Sequence, residues 1–135
     1  MTTKRFLIGI DPGTQTGLAV WDREKHDFKE IITLPLHRAL VEVQTLSEYW
    51  IGKHQVCLYV ENPNTWKPFG QSTRGRLQGA GSIKRDYAIW KEFAEYHKIE
   101  LVPVRLQGTL KKLTPARFKQ ITGWDGRAYT RGTRQ

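Results

Sequence analysis

The sequence predicts an α/β domain, and three observations carry that reading. Short apolar runs of strand length recur, two longer stretches place apolar residues at helical spacing, and the two kinds of segment interleave. No repeat, low-complexity tract or internal linker interrupts the series, so the 135 residues are expected to form one domain.

Phe6 to Ile10 is apolar and ends at Asp11, which predicts a buried central strand closed by a Pro-Gly turn. Gly17 to Trp21 reads as the return strand of a hairpin, and Phe28 to Thr33 as a third strand. Leu36, Leu40, Val43, Leu46 and Trp50 form an amphipathic helical stripe stopped by Gly52. Val56 to Val60 is a further buried strand, and it ends at Glu61.

Asn62 to Gly75 is rich in Asn, Pro, Gly, Ser and Thr and predicts a long loop, of the kind that commonly carries function. Ala80, Ile83, Tyr87, Trp90 and Ala94 mark a second helix. Leu101 to Val104 is a short strand whose Pro103 suits a sheet edge, because proline donates no ladder hydrogen bond. Thr114 and Pro115 cap a short third helix running to Thr122, with Gly123 as its stop. The order is therefore β-β-β-α-β-α-β-α. From about Asp125 onward few apolar residues remain, and a frayed tail is expected.

Composition excludes several classes. No apolar run approaches the roughly 20 residues that span a bilayer. No leader with a cleavage site opens the chain, and the single Cys57 rules out an internal disulfide framework or a cysteine zinc cluster. A soluble, reducing, intracellular protein is expected. Net charge is +9, and it is unevenly distributed. Residues 1–66 hold 7 basic and 8 acidic side chains; residues 67–135 hold 15 basic and 5 acidic. Such asymmetry predicts a polyanionic partner, since Lys and Arg that neutralise phosphates release counterions.

Asp11 and Glu61 are the candidate catalytic and metal-binding residues. If their strands are parallel neighbours, both carboxylates emerge at one sheet edge, where open α/β sheets place ligands. Two adjacent carboxylates repel unless a cation lies between them, and hard oxygen ligands favour Mg²⁺ or Mn²⁺. Two such ions about 4 Å apart activate a water and stabilise a leaving oxygen. For either acid alone a structural role, in the Asp-Pro-Gly turn or at a strand end, is the simpler account. His26, His37, His54 and His97 show no metal-ligand spacing, Ser47, Ser72 and Ser82 lie in no nucleophile elbow, and Cys57 reads as core.

The segment Ile8 to Gly17, with its Asp-Pro-Gly-Thr turn, resembles the opening of RuvC-type Holliday junction resolvases. Val60-Glu61 with its following loop, Gly79 to Gly81, Val102-Pro103, Lys111-Lys112, Phe118 and Thr122-Gly123 continue that pattern in order. Asn62 to Trp66 and Ile121 to Trp124 look most like the phage and prophage branch. The resemblance implies a ribonuclease H-like fold, a five-stranded mixed sheet flanked by helices, over about residues 5 to 127. It implies a homodimer that nicks four-way DNA, with Asp11 and Glu61 as Mg²⁺ or Mn²⁺ ligands and Lys111 and Lys112 near the scissile phosphate. Trp66, Lys67 and Phe69 fall in the loop that probes the junction centre, and Arg74, Arg76, Lys84 and Arg85 would hold phosphates.

One departure stands out. The family's final helix, which supplies further acids, is expected to be absent here, and Asp125 is the only acid after Glu100. The third and fourth ligands therefore stay unassigned, and a branched-DNA binding protein without catalysis is the alternative. The Asp-Pro-Gly-Thr turn also resembles the phosphate loop of the sugar kinase and actin superfamily, but that architecture needs two such domains around a nucleotide.

Overall fold

Alternation along the strands decides the architecture. In the computed structural model, which describes residues 3–62 and 74–104 (side chains of 74–81 and 83 excepted), five strands form one sheet. They are β1 (Phe6–Asp11), β2 (Gln15–Asp22), β3 (Asp27–Pro35), β4 (Val56–Glu61) and β5 (Glu100–Val104). Their spatial order is β3-β2-β1-β4-β5. The first three run as an antiparallel meander, while β4 is parallel to β1 and β5 is parallel to β4. This mixed sheet, with helices connecting β3 to β4 and β4 to β5, is the ribonuclease H-like arrangement.

Even-numbered positions of β1 and β4 form one face, buried at all but Phe6. Ile8, Ile10, Val56, Leu58 and Val60 point the same way as Leu18, Val20 and Ile32 of the meander. Against that face pack α1 (Leu36–Thr45), through Ala39 and Val43, and α2 (Arg74–His97), through Tyr87, Trp90 and Ala94. β5 is the edge strand, and Pro103 sits in it opposite Val60, as the missing amide requires. Cys57 is fully buried, as the pattern of its strand predicts.

Several boundaries move. β3 extends to Pro35, and α2 takes in Arg74 and Gly75, which the sequence reading leaves in the loop. The first helix departs further. Its α-helical part stops at Thr45, and Leu46–Trp50 form a π-helical turn in which the Ile51 N–H donates to the Leu46 carbonyl at 2.8 Å. The wider turn shifts the helical phase. Trp50, expected on the buried stripe, is 74% exposed, and Ile51 packs against the core instead. Gly52 then reverses the chain with φ of 97°, a backbone that a residue with a Cβ rarely adopts. The remainder of the predicted loop, the third helix and the tail lie outside the described residues.

The sheet end remote from Asp11 is fastened electrostatically. Arg5 donates from Nε to Asp22 Oδ1 at 3.1 Å and from Nη2 to Oδ2 at 3.0 Å, and Oδ1 also accepts the Glu24 amide at 3.0 Å. The Arg5 hydrogen bond is the main reason the Asp22 pKa is held below the usual carboxylate range, against the opposing effect of burial.

Two outcomes follow from this packing. Trp90→Ala removes a fully buried indole and is expected to cost about 3–5 kcal/mol, read from the urea midpoint. Because Asp22 titrates low in the native state, its contribution is complete above the ordinary aspartate value and is lost as pH falls through the depressed native value. The stability gap between wild type and Asp22→Asn should therefore be widest at neutral pH and close in acid, as thermal melts across that range will show.

Candidate functional site

The site begins with the register of two central strands. Ile10 pairs with Val60 in the parallel β1–β4 ladder, so Asp11 and Glu61 occupy the next position on each strand. Both follow the odd-numbered alternation and therefore lie on the sheet face opposite the helices. Asp11 is exposed and Glu61 half-buried. The register extends outward on both sides: Asp11 pairs with Gly17, Gly17 with Thr33, and Glu61 with Val104. One row thus crosses the sheet as Thr33, Gly17, Asp11, Glu61 and Val104.

Local hydrogen bonds set the backbone of both acids. After Asp11 the chain turns through Pro12, Gly13 and Thr14. The buried Thr16 hydroxyl donates to the Gly13 carbonyl at 2.8 Å, and the Leu36 amide at the start of α1 donates to the Thr14 carbonyl at 3.0 Å. The turn is thereby tied to its own strand and to the first helix. On β4, the Asn62 amide donates to the Val104 carbonyl at 2.9 Å, which carries the β4–β5 ladder one residue beyond Glu61.

Asp11 and Glu61 are thus brought together by the fold. Their oxygens are hard donors, and Mg²⁺ characteristically takes one or two protein carboxylates and completes its octahedron with water and phosphate oxygens. The pair fits such an ion in donor type, and the strand register sets the two residues side by side. Among the described residues no group of three or more His, Cys, Asp or Glu side chains converges as a metal cage. Lys84 and Arg85 are exposed on α2, and Arg85 Nε lies 3.6 Å from an oxygen of the buried Asp86. Arg74 and Arg76 belong to the same helix. Trp66, Lys67, Phe69, Lys111, Lys112 and Asp125 lie outside the described residues.

Reasoning from the sequence passed over Thr16 and Gly17. A threonine three residues after a turn glycine was the available signal for the first. A glycine between strand-forming neighbours was the signal for the second.

A second polar cluster sits nearer the other end of the same face. The Cys57 thiol donates to Glu100 Oε1 at 3.2 Å, and Tyr59 is its neighbour on the strand. Burial, reinforced by the Glu100 carboxylate, pushes the Cys57 thiol up to about 12. The cluster is therefore a poor source of a nucleophile at neutral pH. His97 Nδ1 lies 3.2 Å from Glu48 Oε1 and joins α2 to the π-helical turn.

No protein-family model and no curated protein matches the chain. Among solved structures it is similar to T. thermophilus RuvC in complex with Holliday junction substrate, with 15% sequence identity and a TM-score of 0.47. The alignment covers 75% of this chain and 66% of that one.

The state of Cys57 is directly measurable. With the thiol raised to about 12, a thiol reagent at neutral pH should label the native protein roughly a thousandfold more slowly than a free cysteine, and label it rapidly once urea unfolds the chain.

Proposed function

We propose that this protein is a metal-dependent, structure-selective DNA endonuclease that hydrolyses phosphodiester bonds in branched DNA, Holliday junctions above all. The observation that carries the reading is the placement of Asp11 and Glu61. They end adjacent parallel strands at the centre of the sheet, on one face, in a chain of net charge +9. The resemblance of the Ile8–Gly17 segment and the motifs after it to RuvC-type resolvases supports the same reading.

In this mechanism Asp11 and Glu61 hold Mg²⁺ or Mn²⁺. The bound ion supplies Lewis acidity: it lowers the pKa of water and polarises the phosphate. The carboxylates would orient that centre, because β1 and β4 are paired interior strands of the sheet. Lys111 or Lys112 steadies the negative charge that develops on the phosphate as water adds to phosphorus and the bridging oxygen departs.

Trp66 and Phe69 offer rings on which an unpaired base at the branch point can stack. Lys67, Arg74, Arg76, Lys84 and Arg85 contact backbone phosphates, which makes affinity fall steeply with salt. A two-fold homodimer would match the two-fold symmetry of a four-way junction and nick two strands.

Asp11→Asn and Glu61→Gln should each lower Mg²⁺-dependent cleavage of a synthetic four-way junction by about a hundredfold or more, while gel-shift affinity for the junction persists. Full cleavage by Asp11→Asn would refute the mechanism. Selective junction binding by the wild type with no Mg²⁺-dependent product would assign it the role of a branched-DNA binding protein instead.

A further inference from the structure

The two sides of Asp11 are unlike. Toward β4 its neighbour is the Glu61 carboxylate; toward β2 its directly paired residue is Gly17. β2 is an interior strand, flanked by β1 and β3, and Gly17 lies well inside Gln15–Asp22. Glycine weakens such a strand, because it surrenders more backbone freedom on folding and contributes no side chain to the cross-strand row. Its backbone does not demand glycine, since Gly52 alone among the described glycines has a positive φ. Strand geometry therefore gives no reason for a glycine at this position, and the reason lies in what stands beside it.

A Cβ built on Gly17 would lie 3.5 Å from the Asp11 Cβ, and no other atom of the described residues outside its chain neighbours comes within 4 Å. Directly opposed residues ordinarily hold their Cβ atoms about 4.5–5.5 Å apart. The pair is closer than usual but still in ordinary van der Waals contact, so a methyl at 17 is tolerated, while any branch beyond it would compete for the space beside the Asp11 carboxylate. Thr33, the next residue in the row, is exposed, so that side of Asp11 is open to solvent among the described residues.

We propose that Gly17 is a positioning residue for the Asp11–Glu61 centre. Its missing side chain keeps the β2 side of the Asp11 carboxylate clear, so that a hydrated dication and the phosphate oxygen that completes its shell can reach it. The proposal rests on the reading of Asp11 and Glu61 given above. It predicts an inverse relation between strand quality and ion binding at position 17, because β-branched residues favour a strand and crowd the acid.

The test is Mn²⁺ binding to the full chain without DNA, followed by loss of the free-ion electron paramagnetic resonance signal, alongside thermal unfolding. Gly17→Ala should bind as wild type does. Gly17→Val and Gly17→Thr should melt at or above the wild-type temperature yet bind Mn²⁺ about tenfold or more weakly, with junction cleavage lost in parallel. Wild-type Mn²⁺ affinity in a folded Gly17→Val or Gly17→Thr, with Asp11→Asn abolishing binding, overturns the proposal alone. Wild-type affinity in Asp11→Asn overturns the reading of the site and the proposal with it. Failure of both β-branched variants to fold also overturns it, because position 17 would then serve packing and not access.

Discussion

The parallel pairing of β1 with β4, with Ile10 opposite Val60, is the constraint on which the rest depends. Side chains alternate along a strand with period two, so a slip of one residue would exchange the two faces of β4. Val56, Leu58 and Val60 would then leave the helices, and Glu61 would enter the core. Burial of those three together with Ile8 and Ile10 is what forbids the slip. The same apolar contacts that stabilise the sheet thus hold Glu61 beside Asp11, and the site inherits its accuracy from the core.

The two faces of the sheet divide the work. The face under α1 and α2 is mostly apolar, from Leu18 and Ile32 across to Leu58 and Trp90, with the buried Thr16, Asp22 and Glu30 on its meander side. The opposite face changes along the strands. Near the carboxylate end it holds Gly9, Gly17, Ala19, Asp11 and Glu61, small or acidic residues; toward the other end it holds Leu7, Trp21, Phe28 and Cys57. Trp21 and Phe28 meet edge to face at 4.8 Å there. Small residues thus line the strand ends where Asp11 and Glu61 stand, and the Cys57–Glu100 cluster is set apart toward the other end.

Charge adds a second level of organisation. An acidic pair in a chain of net charge +9 is held in a field that draws in polyanions, while the acids themselves repel phosphate unless a cation intervenes. Under the proposed function, attraction over distance and selectivity at contact would be separated: the basic second half of the chain would gather the nucleic acid, and the carboxylates would admit it only together with a dication. The Arg5–Asp22 pair, at the remote end of the sheet, keeps its charges satisfied internally and away from that contest.

The sequence by itself determined the strands, their order along the chain, the edge character of Pro103 and the positions of Asp11 and Glu61 at strand ends, because each follows from local periodicity and turn chemistry. It misplaced Trp50, since a π-helical turn is selected by how Ile51 and Leu46 fit the core and leaves no local signature. It gave Thr16 and Gly17 no role at the site although both act locally: the Thr16 hydroxyl bonds a carbonyl three residues back, and Gly17 faces Asp11 across their own hairpin. Only the tertiary structure decided that the two acids share a face and a row, because parallel pairing joins residues that no short-range pattern relates.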